Sequence, residues 1–241
     1  MLQLSHYILL AVILAIIGWG FNRAAVIAGY NNVEKSKLLK GYWLFIALWV
    51  GYVSLMAGSD FLADFSLPPK FVLFIILPAF IIIGTFFSIK KFAKIIISFP
   101  IALTVYYQSF RIIVELLIWW IYKEGLVPEI VTFEGRNMDV LVGLSAPIVG
   151  YLAYQRKWLS HKIVILWNVI GLLILANIVL IFISLIVKPE MWGFDTIPLS
   201  LDFPRLPYVF IAGAFMPTAV FMHIFSIRKS MQALKEKAAT N

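Results

Sequence analysis

The chain contains no cysteine. That excludes disulfides, Cys-ligated zinc, iron–sulfur clusters and thiol nucleophiles. Histidine is nearly as scarce. His6, His161 and His223 are the only three in 241 residues, and each falls near the end of an expected helix. Bis-histidine haem needs facing pairs at membrane depth, so none is expected. Charge is scarce too, at 13% of residues against 62% hydrophobic. A soluble domain is nearer a quarter charged and half apolar. A surface so short of charge is not solvated by water alone, so the expected solvent is lipid. No G-x-x-x-x-G-K-[ST], H-E-x-x-H or G-x-S-x-G motif occurs. A retinal Schiff base would need a lysine in the last apolar segment, which has none. Zinc hydrolysis would need three clustered His or carboxylate ligands. No cofactor, metal or catalytic residue is therefore expected, and the missing nucleophile counts against an enzyme.

What is present is long apolar runs. A transmembrane helix takes about 20 residues to cross roughly 30 Å of hydrocarbon. Seven segments qualify, at about 7–22, 42–58, 71–89, 96–122, 138–154, 163–187 and 208–227. The expected fold is an all-α integral membrane protein, a seven-transmembrane-helix bundle forming one domain over 1–241. A short basic cytoplasmic tail, 228–241, follows the last span. The first run carries its positive charge, Arg23, behind it rather than before it. That is the reverse of a signal peptide, so a retained helix is expected.

The connecting segments alternate in charge. Arg23, Lys35, Lys37, Lys40, Lys90, Lys91, Lys94, Arg156, Lys157, Lys162, Arg228, Lys229, Lys235 and Lys237 fall on one side, with only Glu34 and Glu236. The other side holds Lys70, Lys123, Arg136, Lys188 and Arg205 with nine acids: Asp60, Asp64, Glu124, Glu129, Glu134, Asp139, Glu190, Asp195 and Asp202. Cytoplasmic loops collect Lys and Arg. The expected orientation is N-terminus outside and C-terminus inside, in a bacterial cytoplasmic (inner) membrane. The net charge of +8 is thus a topology signal. The expected partners are the lipid bilayer and a small molecule, with no nucleic acid.

Tyr42, Trp43, Trp119, Trp120, Tyr122, Tyr151, Tyr154, Trp192 and Tyr208 lie near span ends, as interfacial anchors do. Pro78, Pro147 and Pro217 lie inside spans, where each removes a helix hydrogen bond. Gly143, Ala146, Gly150 and Ala153 form a stripe of small residues, a signal for close helix packing. A shift of 138 residues aligns DFSLPPKF (64–71) with DFPRLPYV (202–209), and FSIKK (87–91) with FSIRK (225–229). If this echo is a repeat, spans 1–3 and 5–7 are parallel units joined by span 4. Such a 3+1+3 plan is similar, in architecture alone, to that of SWEET-type sugar transporters, and parallel repeats are a transporter signature.

The remaining two charges sit inside YYQSFRIIVELLIWWIY, residues 106–122. Gln108, Arg111, Glu115 and Trp119 share one helix face, with Thr104 and Tyr107 beside it. Arg111 lies 12 residues before Lys123, about 18 Å along a helix and so near mid-membrane. A charge there costs at least ~2.5–3.5 kcal/mol on insertion scales, so it faces the bundle interior and finds a partner. The i, i+4 spacing predicts that Arg111 pairs with Glu115. The outer loop TFEGRNMD (132–139) adds Glu134, Arg136 and Asp139 as a cavity rim, and Asn137 as a helix cap. The expected ligand-binding set is therefore Arg111, Glu115, Gln108, Tyr107, Trp119, Glu134, Arg136, Asn137 and Asp139. Asn22, Asp60, Asn168 and Asn177 are further candidates. Asn168 and Asn177 lie on opposite faces of one helix, so at most one of them serves a given cavity. His223 reads as interfacial.

The expected function is binding, and transport, of a small polar or anionic molecule in an intramembrane cavity. Arg111 would contact the cargo through its planar fork. The alternatives are a ligand sensor needing a cytoplasmic partner, or a membrane enzyme using Glu115 on a lipid-like substrate. The brevity of the tail favours transport over sensing.

Overall fold

The computed structural model describes residues 1–193 and 199–240, so Asp195, counted above among the acidic loops, lies outside them. Every regular element among the described residues is helical. The long helices are α1 (Leu2–Ile27), α2 (Asn32–Ala57), α8 (His161–Val187) and α9 (Met216–Thr240). Shorter ones are α3 (Leu77–Ser88), α4 (Ala93–Ser98), α5 (Ile101–Tyr106), α6 (Phe110–Lys123) and α7 (Asp139–Gly150). Turns of π-helix lead into α3 (Val72–Ile76) and α9 (Ile211–Phe215) and extend α7 (Tyr151–Gln155).

Five stretches are long and apolar enough to cross a membrane: Leu2–Ile27, Asn32–Ala57, Ile101–Lys123, His161–Val187 and Ile211–Ala239. A sixth arises if Val72–Ser88 and Lys90–Ser98, bent by 68°, count as one span. The outward faces carry large apolar side chains such as Leu44, Leu48, Leu55, Leu166, Leu173 and Leu180, the face that lipid solvates.

Three expected boundaries differ. The fourth segment does not run unbroken from 96, because Pro100 has no N–H and pushes Phe99 into extended backbone (φ −65°, ψ 137°). The crossing helix starts afresh at Ile101. The first basic loop, expected over 23–41, shrinks to residues 28–31. Asn31 accepts hydrogen bonds from the Val33 and Glu34 N–H groups, and Glu34 accepts one from the Asn31 N–H. That capping box starts α2 early, so Lys35, Lys37 and Lys40 ride on a helix. The stretch 228–240, expected as a tail, is helical. Residues 218–240 contain no Gly or Pro, and α9 continues to Thr240.

Lipid supplies no hydrophobic force between helices, so close packing must hold them together. The small-residue stripe of α7 does this against α5 and α6. A Cβ on Gly143 would stand 2.8 Å from Ile112 Cγ1, and one on Gly150 2.7 Å from the Tyr106 ring.

The two π turns share a local design at an offset of 139 residues. Each runs into a helix with proline at its second position, Pro78 and Pro217, and each follows a cis Leu–Pro bond. A proline cannot donate to the carbonyl four residues back, here Phe74 and Gly213. Both carbonyls are served by α2. The Tyr52 hydroxyl donates to the Phe74 carbonyl at 2.7 Å, and Trp49 Nε1–H donates to Gly213 at 2.7 Å. Lipid offers no alternative donor, so these side chains complete the two broken helices. These two π turns lie against each other.

Candidate functional site

α6 delivers Arg111 and Glu115 to the interior, each 1% exposed. They do not pair with each other. The 132–139 segment folds inward at its end, and Asp139, in the first turn of α7, takes Arg111 instead. Arg111 Nε–H donates to Asp139 Oδ2 at 2.6 Å, and Nη2 meets Oδ1, so both edges of the fork are engaged. The physical reason is geometric. Two side chains one turn apart on a helix meet edge-on, whereas a carboxylate from a facing element can meet the guanidinium in its plane. Glu115 accepts a 2.7 Å hydrogen bond from Asn137 Nδ2, which also donates to the Val131 carbonyl. Asn137 Oδ1 in turn accepts from the Asp139 N–H at 3.0 Å. Among the described residues, no cation stands within salt-bridge distance of Glu115.

The third guanidinium contact is with His223, which is fully buried. Because α9 runs well past Arg228, His223 lies inside the helix rather than at an interface. Arg111 Nη1–H donates to His223 Nε2 at 3.0 Å. Arginine only donates, so Nε2 accepts and the ring proton sits on Nδ1. Nδ1–H donates to Asn168 Oδ1 at 2.8 Å, and Asn168 Nδ2 donates to Ser226 Oγ at 2.9 Å and to the Val164 carbonyl. Gly171 of α8 makes room for the ring: a Cβ there would stand 2.5 Å from His223 Cε1. Ala219, His223, Ser226 and Ser230, all buried, form one stripe of α9 at helical spacing. Sequence reasoning passed over that stripe, although its small and polar residues in an apolar helix were the signal for it.

Arg111, Glu115, Asn137 and Asp139 are among the lining residues of a pocket of about 70 Å³. Its other walls come from both π turns, through Val72, Ile76, Ile211 and Phe215, and from α8. Drug-sized ligands occupy roughly 300–1,000 Å³, while a water needs about 10–15 Å³. The pocket has room for a small group but not for a drug-sized ligand, and its walls are almost entirely apolar apart from the four polar side chains at its edge.

The other expected site residues are elsewhere. Gln108 is buried and donates to the Ala219 carbonyl at 3.0 Å, and Tyr107 packs on Phe110; neither lines the cavity. Trp119 stacks near Phe133 with Lys123 over its ring. Glu134 is exposed and pairs with Lys123 at 3.5 Å, and exposed Arg136 lies over the Trp192 ring. These three form an outer surface rather than a rim of the cavity, because Gly135 sits where a turn reverses the chain before Asn137 points inward. Asn177 is exposed and donates to the Arg136 carbonyl. Asp60 pairs with Arg205 at 2.7 Å across the acidic end. That contact raises the Arg205 pKa, and the Lys70 ammonium beside Asp64 holds its carboxyl well below the usual carboxylate range. Among the described residues, no group of three or more His, Asp or Glu side chains is placed to hold a metal.

Comparison of the chain with protein-family models, curated proteins and solved structures finds no match.

Proposed function

We propose that this chain is a seven-span carrier that binds and moves a small polar or anionic molecule across a bacterial cytoplasmic membrane. Its N-terminus lies outside and its C-terminus inside. The split of basic residues supports the orientation. The shared π-turn and proline design supports two parallel units, α1–α3 and α7–α9, joined by α4–α6. Carriers commonly place their site between such units, beside broken helices, and π turns recur at functional sites.

One observation carries this reading. The fork of Arg111 is filled by Asp139, a carboxylate from a neighbouring element, at the edge of an interior pocket. Asp139 occupies the place that the anionic group of a cargo would take. Glu115, held only by an amide, is the carboxylate free to exchange a proton when cargo enters. A buried ion pair that served stability alone would be inefficient, because desolvation often exceeds the Coulomb gain.

The test is uptake of labelled acetate, lactate and succinate into proteoliposomes under a pH gradient. Saturable uptake of at least one is expected for the wild type. Glu115→Gln should abolish it with Tm near wild type, since Arg111 keeps Asp139. Uptake unchanged in Glu115→Gln, or a variant that fails to fold, contradicts the reading.

A further inference from the structure

A second cavity, of about 810 Å³, lies between α1 and α2 on one side and α3 and α9 on the other. It is more than tenfold larger than the first. Its walls are aliphatic and aromatic, including Leu14, Ile46, Val50, Ile82, Phe86 and Phe221. Toward the acidic end the Trp49 and Tyr52 hydrogen bonds tie α2 to the two π turns. Toward the basic end α2 and α3 splay apart, and the mouth is lined by Glu34, Lys37, Lys91 and Tyr30. Lys94 stands over the Tyr30 ring at 4.9 Å. The Glu34 carboxylate accepts the Asn31 N–H and offsets one ammonium, so the mouth keeps a net positive charge from Lys37 and Lys91.

We propose that this cleft is a binding site for one anionic membrane lipid, with an acyl chain between α2 and α3 and the headgroup at Lys37 and Lys91. Three observations argue for that occupant. The outer face of α2 carries exposed Leu44 and Leu48, so the cleft opens sideways where lipid chains lie. From Lys37 to Trp49 is 12 residues, about 18 Å of helix. That is near the depth of one leaflet in a hydrocarbon core of roughly 30 Å. The lysines at the mouth then meet a headgroup of opposite charge. The pair α8 and α9, by contrast, packs closely. This site does not depend on the transport reading.

The test is native mass spectrometry of the purified full chain in detergent, offered equal phosphatidylglycerol and phosphatidylcholine. One phosphatidylglycerol per chain is expected, preferred by roughly 30-fold for two surface lysines. The double variant Lys37→Gln/Lys91→Gln should lose that preference. Both side chains are exposed, so its fold is not at stake. Gly41→Phe adds a ring where a Cβ meets nothing within 4 Å, on the wall of the cleft, and should remove the retained lipid with Tm unchanged. Equal retention of both lipids, none at all by the wild type, or a preference that survives the double lysine variant overturns the proposal. Undiminished retention by Gly41→Phe does so as well.

Discussion

Residues 72–78 and 211–217 follow the same course, a π turn running into a proline, yet their surroundings differ. Around the second, α8 lies along α9 and brings Asn168 to His223, which extends the Arg111 network into the bundle. Around the first, α2 bonds through Tyr52 to Phe74 of the π turn, and a cleft lies between α2 and α3. The local backbone device is therefore not what assigns a role. The neighbour decides: a helix offering Gly171 and Asn168 closes over a polar site, and one offering Gly41 borders a cleft that its Trp49 and Tyr52 bonds keep from widening.

The largest expected break of this comparison is Arg111→Met. It leaves Asp139 buried without a counter-charge and should cost about 3–5 kcal/mol, read as a loss of Tm. Adding Asp139→Asn should restore most of it, because both charges then leave together. Neither residue lines the cleft between α2 and α3, so that cleft should keep its lipid. Next is Gly171→Ala. The new methyl would stand 2.5 Å from His223, so the ring must move or α8 must lift from α9, at about 1–3 kcal/mol. A shifted His223 ring resonance with a lowered Tm is the expected result. The smallest effects are those of Trp49→Phe and Tyr52→Phe. Each strands a carbonyl that proline has already deprived of its helix donor. Side-chain hydrogen bonds within membranes average about 0.6 kcal/mol, with a maximum near 1.7. Thermal denaturation of the two variants should fall in that range and should widen the cleft rather than disturb Arg111.

The interior placement of Arg111 and Glu115 was legible in the sequence, because an uncompensated charge on a lipid-facing surface is too costly. Their partners were not. Helical spacing joins residues of one element, while Asp139 and His223 arrive from elements 28 and 112 residues away. The prolines announced breaks in the helices. That Trp49 and Tyr52 would repair two of them could not be read, since it depends on how α2 leans across the bundle. The 138-residue shift pairs FSIKK with FSIRK but leaves Pro78 and Pro217 one place apart. Pro78 and Pro217 and the two π turns correspond at 139, where the sequence itself offers little beyond apolar residues. Pro100 and the Asn31–Glu34 capping box were local signals, present in the sequence, that reset the helix boundaries.

The measurement closest to the central claim is chemical rescue of Asp139→Ala. If Asp139 fills the place of a cargo's anionic group in the Arg111 fork, acetate should bind in its stead. The Tm of Asp139→Ala should then rise and saturate with acetate, by about 2.7 kcal/mol of stabilisation at 100 times its Kd. The double variant Arg111→Met/Asp139→Ala should show no such rise. Equal responses to acetate in the two variants, or none in either, would contradict a binding role for Arg111.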